Sequence, residues 1–219
     1  MELPFRVIPV TAYQQNCTLV KCPKTRDIAI IDPGGDLDLI KQGIVDLNGI
    51  PKKILLTHGH LDHVGGTLPL SQDLNLPLIG PNKEDTFWIQ QLPMQAQMMN
   101  LPPVQSFESD QWLEDGDQIS LGELVFDVIH CPGHTPGHVV LFCEEYKWAQ
   151  VGDVIFQGSI GRTDFPRGNH EQLLRSIREK LFPLGDDIRF VPGHGPMSTF
   201  GQERQSNPFV SDAVFGIRR

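Results

Sequence analysis

The run Thr57-His58-Gly59-His60-Leu61-Asp62-His63-Val64-Gly65-Gly66 places three histidines and one aspartate within six positions. In extended backbone, residues i and i+2 face the same way, so His58 and His60 can converge on one point. The chain must then turn, which presents Asp62 and His63 to a neighbouring point. Gly65 and Gly66 permit the tight bend. Imidazole and carboxylate are borderline-to-hard donors suited to Zn, Fe or Mn. A solvated histidine-rich loop has no need of this spacing, so the run is read as a metal-binding segment.

Three more candidate ligands follow apolar runs. His134 lies in Cys131-Pro132-Gly133-His134-Thr135-Pro136-Gly137-His138, Asp153 follows Val151-Gly152, and His194 lies in Val191-Pro192-Gly193-His194-Gly195-Pro196. Each alone is an ordinary loop residue. Together they fall beyond the carboxyl ends of expected strands, where an α/β fold places its site. Five histidines and two aspartates are enough for two metals sharing a bridging carboxylate. His138 is expected to support a ligand from behind, His130 to end a strand and His170 to start a helix.

The elements that must position these residues are short apolar runs alternating with amphipathic stretches. Strands are expected at 27–32, 53–57, 124–129, 139–143, 148–152 and 189–191, and helices at 36–48, 65–74, 83–92 and 170–182. The order is strand–helix, strand–helix, several strands, helix, strand. That is an α/β layered pattern with some adjacent antiparallel strands. The stretch from Phe87-Trp88-Ile89 to Met98-Met99 is expected to pack as core, since Met fills irregular gaps, or else to form part of a pocket wall.

Composition narrows the function classes. A chain of 219 residues with a net charge of −9 lacks the basic surface that nucleic acid or an anionic membrane requires. No apolar run approaches the roughly 18 residues of a membrane span. The start, MELPFRVIPV, lacks the pattern of a secretory signal. The four cysteines Cys17, Cys22, Cys131 and Cys143 form no CxxC pair, and a cytoplasmic chain with reduced thiols is expected.

The pattern T-H-x-H-x-D-H, followed by the distant His134, Asp153 and His194, resembles the metallo-β-lactamase superfamily. The resemblance implies an αββα sandwich, two mixed β-sheets flanked by helices, with a dimetal site at one edge. By position, His58, His60 and His134 would bind one metal, Asp62, His63 and His194 the second, and Asp153 would bridge them. Gly152-Asp153-Val154-Ile155-Phe156, the run Gly158 to Phe165 and the segment Cys131 to His138 are similar to glyoxalase II, the hydroxyacylglutathione hydrolases, above all to its short single-domain bacterial members. The tail Glu203 to Phe209 fits that subgroup.

This resemblance covers nearly the whole chain and implies one hydrolase domain over 1–219. The activity implied is cleavage of a small-molecule thioester, S-D-lactoylglutathione, to D-lactate and glutathione. Two divalent cations, zinc first and Fe or Mn as alternatives, would supply a metal-bound hydroxide, with Asp62 orienting it. Longer glyoxalase II enzymes hold glutathione with a helical C-terminal domain, for which the residues after His194 are too few. Arg162 aligns with a basic position that contacts glutathione, against the alternative of an ion pair with Asp164. Arg204 is a second substrate-binding candidate, against the alternative of a tail tether. Two other activities stay open: a mononuclear iron persulfide dioxygenase using His58, His134 and Asp153, which shares the Gly161 to Phe165 run, and a phosphodiesterase or nuclease of the same fold.

Overall fold

A computed structural model describes residues 2–217. Five strands form the first sheet: β1 (Phe5–Val10), β2 (Gln15–Lys21), β3 (Asp27–Ile31), β4 (Ile50–Leu55) and β5 (Leu78–Ile79), in that spatial order. The second sheet contains β6 (Gln118–Leu121), β7 (Leu124–His130), β8 (Val139–Cys143), β9 (Trp148–Gly152), β12 (Arg189–Pro192) and β13 (Ser198–Thr199), ordered β13-β12-β9-β8-β7-β6. A separate hairpin joins β10 (Ile155–Phe156) to β11 (Ser159–Ile160). Both sheets mix parallel and antiparallel pairs.

Three apolar clusters define the layers. The first lies between the sheets and includes Val20, Ala29, Ile31 and Leu55 from one and Phe126, Leu141, Trp148 and Val191 from the other. The second packs the outer face of the first sheet, through Leu19, Ile28, Ile30 and Ile54, against α1 (Leu37–Leu47), α2 (Leu61–Val64) and α3 (Thr67–Leu74). The third packs Val140, Ala149 and Phe190 of the second sheet against α6 (His170–Arg175) and α7 (Phe200–Ser206). The result is a helix–sheet–sheet–helix sandwich. Each fully buried Leu, Ile or Phe in these clusters contributes about 1.5–3 kcal/mol of apolar burial, so three stacked layers hold the fold without cross-links. All four cysteines are free thiols and buried. No helix among the described residues is long and apolar enough to cross a membrane.

Parallel pairing is what aligns the strand ends. Because β3 runs beside β4, Ile31 pairs with Leu55, and the chain leaves both strands at the same edge as Asp32 and Leu56-Thr57. Because β9 runs beside β12, Gly152 pairs with Pro192, and Asp153 leaves beside Gly193-His194. At that edge the two sheets are tied together, since Asn16 Nδ2–H donates to the Pro192 carbonyl at 3.0 Å and Gly193 O accepts from Asn16 N–H at 2.7 Å.

Several elements differ from the sequence expectation. The reading contained no strand before Asp27, yet β1 and β2 pair across six residues each. Pro9 interrupts the strand signal of β1, and the buried Gln15-Asn16 start of β2 is polar because it belongs to the sheet edge that meets His194. The helix expected at 170–182 is α-helical only to Arg175 and continues as a π-turn over Ser176–Leu181. The helix expected at 83–92 divides into a 3₁₀ turn at Lys83–Asp85, α4 (Thr86–Gln90) and α5 (Leu92–Met98).

Candidate metal centre

Beyond Leu55 the chain runs irregularly through Leu56–His60 and then turns once as α2, so His58 and His60 leave the backbone before the turn and Asp62 and His63 within it. His58 Nε2 lies 3.2 Å from His60 Nδ1, which lies 2.9 Å from His134 Nε2. One ligand atom from each of these three residues falls within 4.8 Å of the others, and the same holds for Asp62, His63 and His194. Asp153 stands between the two sets. Its Oδ1 is 3.2 Å from His63 Nε2, and its Oδ2 is 3.6 Å from His134 Nε2 and 3.7 Å from His194 Nε2. Asp62 Oδ2 is 3.1 Å from His194 Nε2. All seven residues read from the sequence as ligands are thus gathered at one sheet edge.

The hydrogen bonds behind the rings assign their tautomers. His134 Nδ1–H donates to the Arg162 carbonyl at 2.7 Å, and His194 Nδ1–H to the Tyr13 carbonyl at 3.2 Å. His63 Nδ1–H donates to Asp32 Oδ2 at 2.9 Å. His58 Nδ1–H donates to Thr57 Oγ1 at 3.1 Å, and that hydroxyl donates to Asp32 Oδ2 at 2.5 Å. Each bond holds a proton on Nδ1 and turns Nε2 toward the cluster, the arrangement that orients metal-binding histidine.

Charge state agrees with this geometry. Burial first, then repulsion from neighbouring rings, holds His58 well below the ordinary histidine value and brings His60 down to about 3. His134 is lowered by burial as well. Burial opposes charge on His63 and His194, yet the facing carboxylates raise both above the ordinary value, so each Nε2 carries a proton that a bound cation would displace. The same pairing overrides burial on Asp153 and Asp62 and holds both carboxyls below the usual range. One set is therefore three neutral imidazoles and the other is centred on ionised carboxylates.

The donors fit metal ions. Buried His63 Nε2 and Asp153 Oδ1 have no hydrogen-bond partner among the described residues, and an unsatisfied buried polar atom is costly unless something completes it. His58 Nε2 and His134 Nε2, whose protons are committed on Nδ1, face His60 Nδ1 at 3.2 and 2.9 Å, and a cation held by these three nitrogens would complete them. Gly193 shows how closely the backbone must approach. A Cβ there would lie 2.0 Å from Asp153 Oδ1 and 2.6 Å from His63 Cε1.

Three supporting residues escaped the sequence reading. Asp32, fully buried at the end of β3 with φ 52°, accepts from Thr57 N–H at 2.8 Å as well as from the Thr57 hydroxyl and His63. Thr57 relays Asp32 to His58. Asp85 accepts from Gly59 N–H (2.8 Å), the Thr135 hydroxyl (2.8 Å) and Gly137 N–H (2.6 Å), joining the loops that carry His60 and His134. The available signal for Asp32 was its place at a strand end directly before Pro33-Gly34. His138 is buried and stacked on His58 with centroids 4.7 Å apart, and its Nε2 accepts from Asp153 N–H at 3.0 Å, so it steadies Asp153 through the backbone.

The cluster forms the floor of a cavity of about 880 Å³. Arg162 lines it, with its guanidinium bound to both oxygens of Asp164 at 2.7 Å and lying over the Phe165 ring at 4.1 Å. Both the pair and the cavity position expected for Arg162 are therefore present. Arg204 is not among the residues lining this cavity, and its contacts are those of the tail tether weighed against substrate binding. It donates to the Phe182 carbonyl, pairs with Asp186 at 3.2 Å and lies over the Phe182 ring, tying α7 to the turn after the π-segment. The stretch from Phe87 to Met99 divides between the two readings weighed for it: Trp88 and Ile89 are buried, whereas Met98 is 78% exposed and both methionines line the cavity.

Comparison with known proteins agrees with the fold and the cluster. Residues 10–194 match the family described as the metallo-beta-lactamase superfamily. The chain is 48% identical over 206 residues to hydroxyacylglutathione hydrolase GloC of Haemophilus influenzae, covering 94% of this chain and 97% of that one. It is 34% identical to the probable metallo-hydrolase YqgX of Bacillus subtilis, covering 83% and 86% of the two chains. Among solved structures, the BLEG-1 B3 metallo-beta-lactamase aligns with TM-score 0.87 at 32% identity, covering 94% of this chain and 99% of that chain. TTHA1623 in a di-iron-bound form aligns with TM-score 0.85 at 33% identity, covering 94% and 100%.

Proposed function

The chain belongs to the metallo-beta-lactamase superfamily and is a hydrolase of the glyoxalase II kind, and from that premise we propose that it cleaves S-D-lactoylglutathione to D-lactate and glutathione in the cytoplasm. The observation that carries the reading is Asp153, whose two oxygens face His63 on one side and His134 and His194 on the other. In this reading His58, His60 and His134 hold one divalent cation, and Asp62, His63 and His194 hold a second. Asp153 is shared, and zinc is the first candidate, with iron or manganese as alternatives. The di-iron form of TTHA1623 supports the count of two. Bound cations supply Lewis acidity and lower the pKa of water toward neutrality.

The chain's own residues set the rest. Asp62 is part exposed to the cavity, with its Oδ2 beside His194, and is placed to orient the attacking water. His134 and His194 are held rigid from behind, so little reorganisation accompanies charge development at the carbonyl oxygen. The leaving thiolate needs no strong protein acid, because a thiol ionises near neutral pH. Arg162 is the residue able to meet a carboxylate of glutathione, by exchanging one oxygen of its exposed partner Asp164.

Steady-state hydrolysis of S-D-lactoylglutathione by the metal-loaded protein tests this, with His58→Ala as control. Turnover well above the control is expected. No turnover above it, or one iron per chain with rapid oxygen uptake on glutathione persulfide, overturns the assignment.

A further inference from the structure

The walls of the cavity are more specific than its floor. On one side Trp88 and Phe165 stand with ring centroids 6.1 Å apart, and both meet the His60 ring edge-on, at 4.5 and 5.2 Å. Met98 and Met99 extend that wall outward, and the Tyr13 hydroxyl reaches Met99 Sδ at 3.9 Å. Phe156 and Ile160 face them from the β10–β11 hairpin. A lactoyl group offers this surface one methyl.

Cations are correspondingly scarce. Among the described residues lining the cavity, Arg162 is the one Lys or Arg, and Asp164 already answers its charge. Glutathione carries two carboxylates and one ammonium, so ion pairing cannot be the main grip. Aromatic faces and methionines that line a reacting centre bind apolar groups of varied shape, because methionine adapts its rotamers and thioether to the guest.

Resting on the thioesterase reading above, we infer that this site holds its substrates mainly on the acyl side by apolar contact, and that beyond the lactoyl group it takes thioesters of medium-chain alkyl or aryl acids. The thiol carrier is secondary. The acyl chain runs from the metal cluster along Trp88 and Phe165 toward Met98. Each methylene buried there tightens binding roughly threefold to fourfold, which corresponds to about 0.8 kcal/mol.

Thioethers cannot be hydrolysed and place an alkyl group on the same sulfur, so they test binding apart from chemistry. Calorimetric titration of the metal-loaded protein compares S-methylglutathione, S-hexylglutathione and S-hexyl-N-acetylcysteamine, which has no carboxylate. The expected result is binding at least tenfold tighter for S-hexyl than for S-methyl, with the uncharged carrier within tenfold of its glutathione counterpart. A hexyl-to-methyl ratio below ten, or a loss above tenfold on removing the carboxylates, overturns the inference.

Three variants locate the contact. Phe165→Ala is expected to lower the hexyl-to-methyl ratio at least fivefold and Phe165→Leu to restore most of it. Met98→Ala, on an exposed position that tolerates truncation, is expected to lower the ratio twofold to threefold. An unchanged ratio in both alanine variants also overturns the inference. Kinetics distinguish this failure from failure of the function. If S-D-lactoylglutathione is hydrolysed but the thioether series is flat, only the acyl preference falls. If it is not hydrolysed, the functional assignment falls while the titrations still report on the cavity.

Discussion

The Asp32 carboxylate accepts the Nδ1 proton of His63 at 2.9 Å, and neither side chain is exposed. The same oxygen takes the Thr57 hydroxyl, which in turn accepts from His58. One carboxylate thus fixes the tautomer of a ring in each donor set. In Asp32→Asn, an amide nitrogen at that position presents protons to His63 Nδ1 and favours the wrong tautomer, with hydrogen on Nε2. Metal affinity is expected to fall about 10–100-fold, the usual cost of losing a hydrogen bond behind a ligand. Competition against a chromophoric chelator measures it, and wild-type affinity in the variant would refute the relay.

Gly193 has no room for a side chain. The 2.0 Å separation between a Cβ there and Asp153 Oδ1 forces the carboxylate or the backbone to move. Gly193→Ala is expected to lose metal from at least one set and to lower kcat about 10²-fold, the scale associated with a displacement near 1 Å at a reacting centre. Folding should survive, because overpacking costs about 1–3 kcal/mol. Metal analysis beside thermal unfolding separates the two effects.

The seven candidate ligands were legible in the sequence because their signal is local. His58 to His63 is one turn of chain, and His134, Asp153 and His194 each end an apolar run, so a strand-end rule finds them without knowing the partners. Asp32 and Asp85 obey no local rule. Their meaning lies in contacts 25 and more residues away, with Thr57, Gly59, Thr135 and Gly137. The first sheet's outer strands were hidden for a related reason: β2 is buried along most of its length, polar start included, which erases the alternation that marks a half-exposed strand. The cavity wall was ambiguous because Met98 and Met99 have a composition that suits either a core or a pocket wall.

Arg204 ties the C-terminal helix to the second sheet's outer layer, and nothing it touches reaches the cluster. Arg204→Met keeps the apolar stem and loses the bond to the Phe182 carbonyl and the pair with Asp186. A cost of about 2 kcal/mol is expected for a lost charged hydrogen bond, lowering Tm by about 6 °C in a chain of this size. Thioesterase kcat/KM should stay within about twofold. A large kinetic loss with an unchanged Tm would return Arg204 to the substrate site.

Asp85 offers a titration away from the ligands themselves. Burial pushes its carboxyl up to about 6, and Glu84 adds to the rise, although Thr135, Gly59 and Gly137 donate to it and pull the other way. Because the folded value exceeds the unfolded one, the folded state binds more protons between the two, and stability from this group falls as pH rises through that window. Asp85→Asn removes the titration and sets an amide N–H against Gly137 N–H or against Gly59 N–H and the Thr135 hydroxyl, costing about 1–3 kcal/mol. The deficit relative to wild type, measured by urea unfolding of the metal-free proteins, should be larger at pH 5 than at pH 7, narrowing by about 1 kcal/mol over that range. The loops joined by Asp85 carry His60 and His134, so the variant should also bind metal more weakly, about tenfold. A deficit that widens with rising pH would mean that the three donors outweigh burial and that the carboxylate is ionised throughout.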